Sequence, residues 1–133
     1  MAAAASPPAG LRLDTHVVVW LFTGEVGKLS DVAAGAIEAG VPEVSPMVQL
    51  ELTFLHEIGR LAVSGSEILD DLSRRIGLGL SSVPMASAVA AAAPVKWTRD
   101  PFDRMIVGDA LAAGTPLLTR DASIRRHVSL ATW

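Results

Sequence analysis

The chain has 133 residues, 50% of them hydrophobic and 19% charged, a balance that excludes disorder and a length that suits one compact domain. Cysteine is absent, which removes disulfide frameworks, thiolate metal sites, iron–sulfur clusters and cysteine nucleophiles, and suits a reducing compartment. The formal net charge is -3, unevenly spread: residues 1–95 carry five Lys and Arg against ten Asp and Glu, whereas residues 96–133 carry six against four.

In chain order, residues 1–10 are Ala-rich with Ser6, Pro7 and Pro8. They lack the positive start and apolar run of a secretory signal, and read as a flexible tail ahead of a domain over residues 11–133. No later stretch is apolar for long enough to span a bilayer, so the expected location is the cytoplasm, away from membranes. Residues 11–14 form a short apolar strand ending in Asp14, and residues 15–22 continue as a helix. Residues 23–27 are loop chemistry. Ser30 is placed to N-cap a helix that stops at Gly40. Residues 43–45 read as a second strand, and Pro46 then opens a long helix to about Arg60. A helix over residues 66–76 ends at Gly77, residues 80–83 read as a strand, and residues 85–93 form an Ala-rich helix closed by Pro94. Asp100 and Pro101 start a helix to Ala113, stopped by Gly114. Residues 116–119 are another strand, residues 122–127 a short helix, and residues 130–133 a last apolar piece. Strands separated by helices need crossover connections, which predicts a mainly parallel sheet covered on both faces, a three-layer α/β/α domain.

Four carboxylates stand out on this pattern. Asp14 closes the first strand, and Asp121 follows the strand at residues 116–119. In open α/β sheets the crevice at the carboxyl ends of strands is where ligands bind. Glu51 shares the apolar stripe of its helix with Met47, Val48, Phe54 and Leu55, and Asp103 shares that of Ile106 and Val107. A lone ionised carboxylate on such a face costs several kcal/mol unless paired or bound to a metal. Local alternatives exist for each: turns or caps for Asp14 and Asp121, the helix dipole for Glu51, and a capping box with Asp100 for Asp103. Asp100 precedes Pro101 and so has N-cap geometry, which leaves Asp103 as the better ligand. A cluster of oxygen ligands without Cys selects a hard cation, Mg²⁺ or Mn²⁺, over Zn²⁺. His16, His56 and His127 have no zinc-hydrolase spacing. The basic residues Lys96, Arg99, Arg104, Arg120, Arg125 and Arg126 lie near Asp103 and Asp121 in sequence, and place positive charge where a nuclease grips a phosphodiester backbone.

The segments Leu13-Asp14-Thr15-His16, Val44-Ser45-Pro46 followed by Glu51, Arg99-Asp100-Pro101-Phe102-Asp103-Arg104 and Leu117-Leu118-Thr119-Arg120-Asp121 together resemble a PIN-domain protein. The nearest likeness is to the VapC toxins of bacterial VapBC toxin–antitoxin systems. The likeness runs from Leu11 to His127 in the family's order and approximate spacing. It implies a three-layer α/β/α fold, Mg²⁺- or Mn²⁺-dependent endoribonuclease activity that inhibits growth, a VapB-like antitoxin partner seated in the toxin groove, and a homodimer. Carried over by position, Asp14, Glu51, Asp103 and Asp121 match the family's acidic quartet. Asp14 and Asp103 are then the implied metal ligands, with Glu51 a further ligand or a group orienting water. Thr119 and Asp100 are supporting groups, and Arg99, Arg104, Arg120 and Arg125 are candidates for RNA contact.

Other readings make different demands on the same residues. A non-catalytic PIN-like module that binds RNA or protein has no need of all four acids. A haloacid-dehalogenase-like or receiver-like phosphotransfer domain wants a second acid two residues after Asp14, where His16 stands. Ser/His/Asp hydrolysis wants a Gly-x-Ser-x-Gly elbow, which the chain lacks. Trp20, Phe22, Phe54, Leu50 and Leu55 read either as core or as anchors for a partner helix or a dimer seam. Trp97 and Trp133 either cap the core or stack on RNA bases. Gly108, inside a helix, costs about 1 kcal/mol against Ala unless close packing requires it.

Overall fold

The structure, a computed structural model, describes residues 10–133. Gly10 already belongs to the first strand; the rest of the tail expected over residues 1–10 lies outside the described residues. Strand β1 (Gly10–Leu13) runs into helix α1 (Thr15–Thr23), and Gly24 in the left-handed region (φ 77°) ends that helix. A 3₁₀ turn (Val26–Lys28) occupies the expected loop, and α2 (Asp31–Ala39) starts on the Ser30 cap. Then follow β2 (Val41–Val44), α3 (Pro46–Glu57), α4 (Gly65–Ile76), β3 (Gly79–Leu80), α5 (Met85–Ala92), α6 (Pro101–Ala113), β4 (Leu117–Leu118), α7 (Ala122–His127) and β5 (Ala131–Thr132).

Strand β2 runs over Val41–Val44, two residues earlier at its start and one at its end than the expected 43–45, and other ends differ for local reasons. Helix α3 stops before Arg60 because Gly59 takes φ 80°, turning the chain so that the N–H groups of Arg60 and Leu61 donate back to the Leu55 carbonyl. The third strand starts one residue earlier than expected, at Gly79, and regular pairing ends at Leu80. Ser81 still donates its N–H to the Val44 carbonyl, but its Oγ accepts from the Val83 N–H, which bends the chain toward Pro84. The last apolar piece is a true strand, β5, paired with β4.

All four strand pairs are parallel, in the order β3-β2-β1-β4-β5. Leu11, Arg12 and Leu13 alternate sides of β1, and all three are buried, so both faces of the central strand are covered and the sheet is the middle of three layers. The core runs through Leu13, Val17, Val44, Leu52, Leu72, Ile106 and Leu118. From β1 the chain winds outward through β2 to β3, then crosses to the other side of β1 for β4 and β5. The direction of winding therefore reverses between β1 and β4, and the sheet opens a crevice at their carboxyl ends. No helix of the described residues is long and apolar enough to cross a membrane.

Candidate active site

The β1–β4 pair fixes the floor of the site. Leu13 faces Leu118 in register, and the Asp14 N–H donates to the Leu118 carbonyl at 3.0 Å. Asp14 and Asp121 thus emerge side by side from the two strands. Each also begins a helix: Asp14 Oδ1 accepts from the Thr15 N–H at 2.8 Å, and Asp121 Oδ1 accepts from the Ile124 N–H at 3.0 Å. Cap and site carboxylate are therefore one residue, because a strand leading directly into a helix puts the cap at the crevice. Thr119 is fully buried and donates its hydroxyl to Asp14 Oδ2 at 2.7 Å while accepting from the Asp121 N–H at 3.0 Å. It ties the two acids together.

Helices α3 and α6 bring the other two. Asp14, Glu51, Asp103 and Asp121 all line one cleft of about 320 Å³. A hollow of equal volume beside β3, between α3 and α4, has only Asp70 as a carboxylate in its lining, so the donor set rather than the size distinguishes the acidic cleft. Phe54 on α3 stacks on Phe102 of α6 at 6.1 Å between ring centres, fixing the two helices next to their acids. Glu51 accepts a short hydrogen bond from the Thr15 hydroxyl. Burial raises its pKa, Asp14 and Asp100 add to the rise, and the Thr15 bond opposes it. Asp103 is pushed up to about 7, first by burial and then by the negative charges of Asp100, Asp14, Glu51 and Asp121. Asp100 itself caps α6, accepting from the Phe102 N–H at 2.9 Å and the Asp103 N–H at 3.4 Å, and acts on the cleft through its charge.

Thr15, His16 and Arg60 also line this cleft, although composition and spacing do not single them out. Arg60 arrives through the turn at Gly59, which the expectation of a helix to about Arg60 passed over. His16 Nε2 accepts from the Arg120 N–H at 2.9 Å, which leaves the ring proton on Nδ1, 3.5 Å from Asp14 Oδ2. Burial lowers the His16 pKa; Asp14 and Asp121 oppose the shift, and Arg120 adds to it. The four arginines expected to contact RNA are dispersed. Arg120 stands beside the cleft, with its guanidinium 5.9 Å from the Trp20 ring centre. Arg99 and Arg104 line a separate hollow with Val89, Ala93 and Met105, where Arg104 donates to the Ala93 carbonyl. Arg125 sits exposed in the last turn of α7.

Among the described residues, no three His, Asp or Glu side chains already stand as a closed set around an ion. The donors present are nevertheless those of a hard cation: carboxylate oxygens, a threonine hydroxyl and space for water. Burial raises Asp103 first and repulsion by the neighbouring carboxylates adds to it, and a bound cation would relieve that repulsion. Mg²⁺ takes one or two carboxylates directly and keeps several waters, so the residues fit such a group.

Several known proteins resemble this chain. The PIN domain family matches residues 12–129. Ribonuclease VapC22 of Mycobacterium tuberculosis (strain ATCC 25618 / H37Rv) is 33% identical over 121 residues, covering 86% of this chain and 89% of that protein. Among solved structures, VapBC2 from Rickettsia felis bound to a DNA fragment from its promoter superposes with a TM-score of 0.66 at 15% identity, over 92% of this chain and 96% of the other. A toxin–antitoxin complex from Klebsiella pneumoniae gives 0.62 at 14% identity, with the same two coverages. VapBC-1 from nontypeable Haemophilus influenzae gives 0.55 at 14%, over 93% and 96%. These structures share the fold.

Proposed function

The chain belongs to the PIN-domain family, and on that premise we propose that it is a metal-dependent endoribonuclease, the toxin of a type II toxin–antitoxin pair. The observation that carries this reading is the convergence of Asp14, Glu51, Asp103 and Asp121 on one cleft at the carboxyl ends of β1 and β4. The VapC22 relative, a ribonuclease by name, supports the activity.

Asp14 and Asp103 are the proposed ligands of one divalent cation, Mg²⁺ or Mn²⁺. Bound there, the ion supplies positive charge for a phosphodiester oxygen and acidity for a water molecule. Thr119 orients Asp14 by donating to Oδ2, and the His16 Nδ1 proton faces the same oxygen. Glu51, kept half-buried with a raised pKa, is suited to orient the attacking water and accept its proton. Asp121 supplies a further carboxylate in the same cleft, beside Asp14. Arg60 and Arg120 supply the positive charge at the rim that an anionic strand needs beside an acidic floor.

The proposed setting is the cytoplasm, with residues 11–133 acting as one domain. A VapB-like antitoxin and a second copy of the toxin are the proposed protein partners, in keeping with the VapBC complexes that share the fold. The apolar surface supports this: Leu50 (53% exposed), Phe54 (45%) and Met85 (73%) face outward, on a side where Met47, Val83 and Met105 line a further hollow.

Cleavage of single-stranded RNA by purified protein, with Mg²⁺ or Mn²⁺ and with chelator, tests the reading. Wild type cuts only with metal, and Asp14→Asn and Asp103→Asn each lose at least about a hundredfold of the rate while circular dichroism shows them folded. Unchanged cleavage by both variants refutes the assignment.

A further inference from the structure

We propose that Trp20, braced by His16 and Trp133, is the stacking platform for a base of the RNA next to the scissile phosphate. The inference rests on the ribonuclease reading and adds to it a subsite for a nucleobase. His16 and Trp20 are four residues apart on α1, so they stand one above the other on a single face of the helix, about 6 Å apart along its axis. Asp14 caps the same helix, so this ladder of rings rises directly from the acidic floor, and both rings line the cleft.

The rings are held edge to face. His16 lies 4.9 Å from Trp20 at 60°, and Trp133, just beyond β5, lies 5.9 Å from Trp20 at 63°. Such edge contacts fix the indole without laying another ring flat upon it. Two cations lie over the same indole: Lys28 Nζ at 5.4 Å and the Arg120 guanidinium at 5.9 Å from its centre. Trp20 is only partly buried. An oriented, partly exposed indole on the wall of a phosphodiester-cleaving cleft, its face covered only by the ends of two long cationic side chains that an incoming base displaces toward its own phosphates, matches the two demands of a single-stranded nucleotide, a π face for the base and positive charge for its phosphates. Lys28 is also ion-paired with Glu25 at 2.9 Å, so the positive charge offered to a phosphate is chiefly that of Arg120.

Steady-state cleavage of a single-stranded RNA reporter containing all four bases decides the matter, with Trp20→Ala, Trp20→Leu and Trp20→Phe compared under one metal concentration. Trp20→Ala and Trp20→Leu are expected to raise KM about 5- to 100-fold, the range of a lost base stack, with the loss falling on KM rather than kcat. Trp20→Phe, which keeps a π face, retains most of the affinity. Arg120→Ala lowers the slope of log KM against log salt by about 0.7, one phosphate contact. Trp20→Leu fills most of the lost volume, so a KM raised by Ala alone, or by Phe as much as by Leu, marks a packing role and overturns the subsite. An unchanged KM in Trp20→Ala overturns it too, with the ribonuclease reading intact. Absence of cleavage by wild type under every metal overturns both.

Discussion

An ionised carboxylate at Asp103 faces the charges of Asp100, Asp14, Glu51 and Asp121 from a partly buried position, and its pKa rises to about 7. The unfolded chain releases this proton near the ordinary carboxylate value, so between about pH 4 and pH 7 the folded state holds more protons than the unfolded one, and stability falls as pH rises. Glu51, also raised, adds in the same direction. Urea midpoints of the metal-free protein at about pH 5 and about pH 8 are therefore expected to show this slope, and Asp103→Asn to flatten it and stabilise the protein at the higher pH. Added Mn²⁺ raises the melting temperature more at about pH 8 than at about pH 5, because there the cation does not compete with the proton; an equal rise at both, or none, counts against Asp103 as a ligand. The Asp100/Asp103 distinction is legible in the sequence because it is local: Pro101 at the first helical position marks Asp100 as the cap. The Arg120 N–H on His16, and Arg60 in the cleft wall, depend on how distant segments fold together, and no spacing announces them.

Helices α5 and α6 pack so closely that a Cβ on Gly108 would stand 2.5 Å from the Ala88 carbonyl oxygen and 2.7 Å from the Ala92 Cβ. The glycine that looks costly for its helix is what allows the Ala-rich α5 to lie against α6, and with it to hold the helix that presents Asp103. Gly35 in α2 is a useful contrast, being exposed with nothing within 4 Å of the added methyl. Gly35→Ala is therefore expected to stabilise by about 0.5–1 kcal/mol through helix propensity. Gly108→Ala destabilises by about 1–3 kcal/mol because the clash outweighs the same propensity gain. Urea unfolding of the two variants checks both, and a stabilised Gly108→Ala would mean the α5–α6 contact is looser than described. The order of helices and strands was readable from caps and stop signals such as Ser30, Pro46, Gly77 and Gly114. The extent of β3 was not, because what ends it is the Ser81 side chain engaging Val83.

Across the whole molecule, one buried ion network joins the sheet to the helix that carries Asp103. Arg12, on the covered central strand, donates from Nε to Asp109 Oδ2 at 2.7 Å, from Nη1 to Glu43 Oε1 at 3.0 Å and from Nη2 to Ser81 Oγ at 3.0 Å. Ser81 Oγ in turn donates to Asp109 Oδ1. Strands β1 and β2, the residue just after β3 and α6 thus meet on a single guanidinium, and no buried side-chain polar atom among the described residues is left without a partner. Arg12 reads in the sequence as an interruption of a four-residue apolar strand. Its partners are far away along the chain and become visible only once the strand order is known. Removing one member strands a charge in the interior, so Asp109→Ala is expected to cost about 3–5 kcal/mol, a large share of the about 5–15 kcal/mol that holds a domain of this kind together. Replacing both charges by apolar groups of similar size, Arg12→Met with Asp109→Leu, leaves less unsatisfied and recovers much of that loss, in part limited by Glu43, which then lacks its partner. Urea unfolding of the two single variants and the double variant measures the coupling directly. A double variant as unstable as the sum of the singles would mean that the network acts through packing rather than charge. A recovered double variant with impaired RNA cleavage would show that the same ion network also seats α6 for the site at its N-terminus.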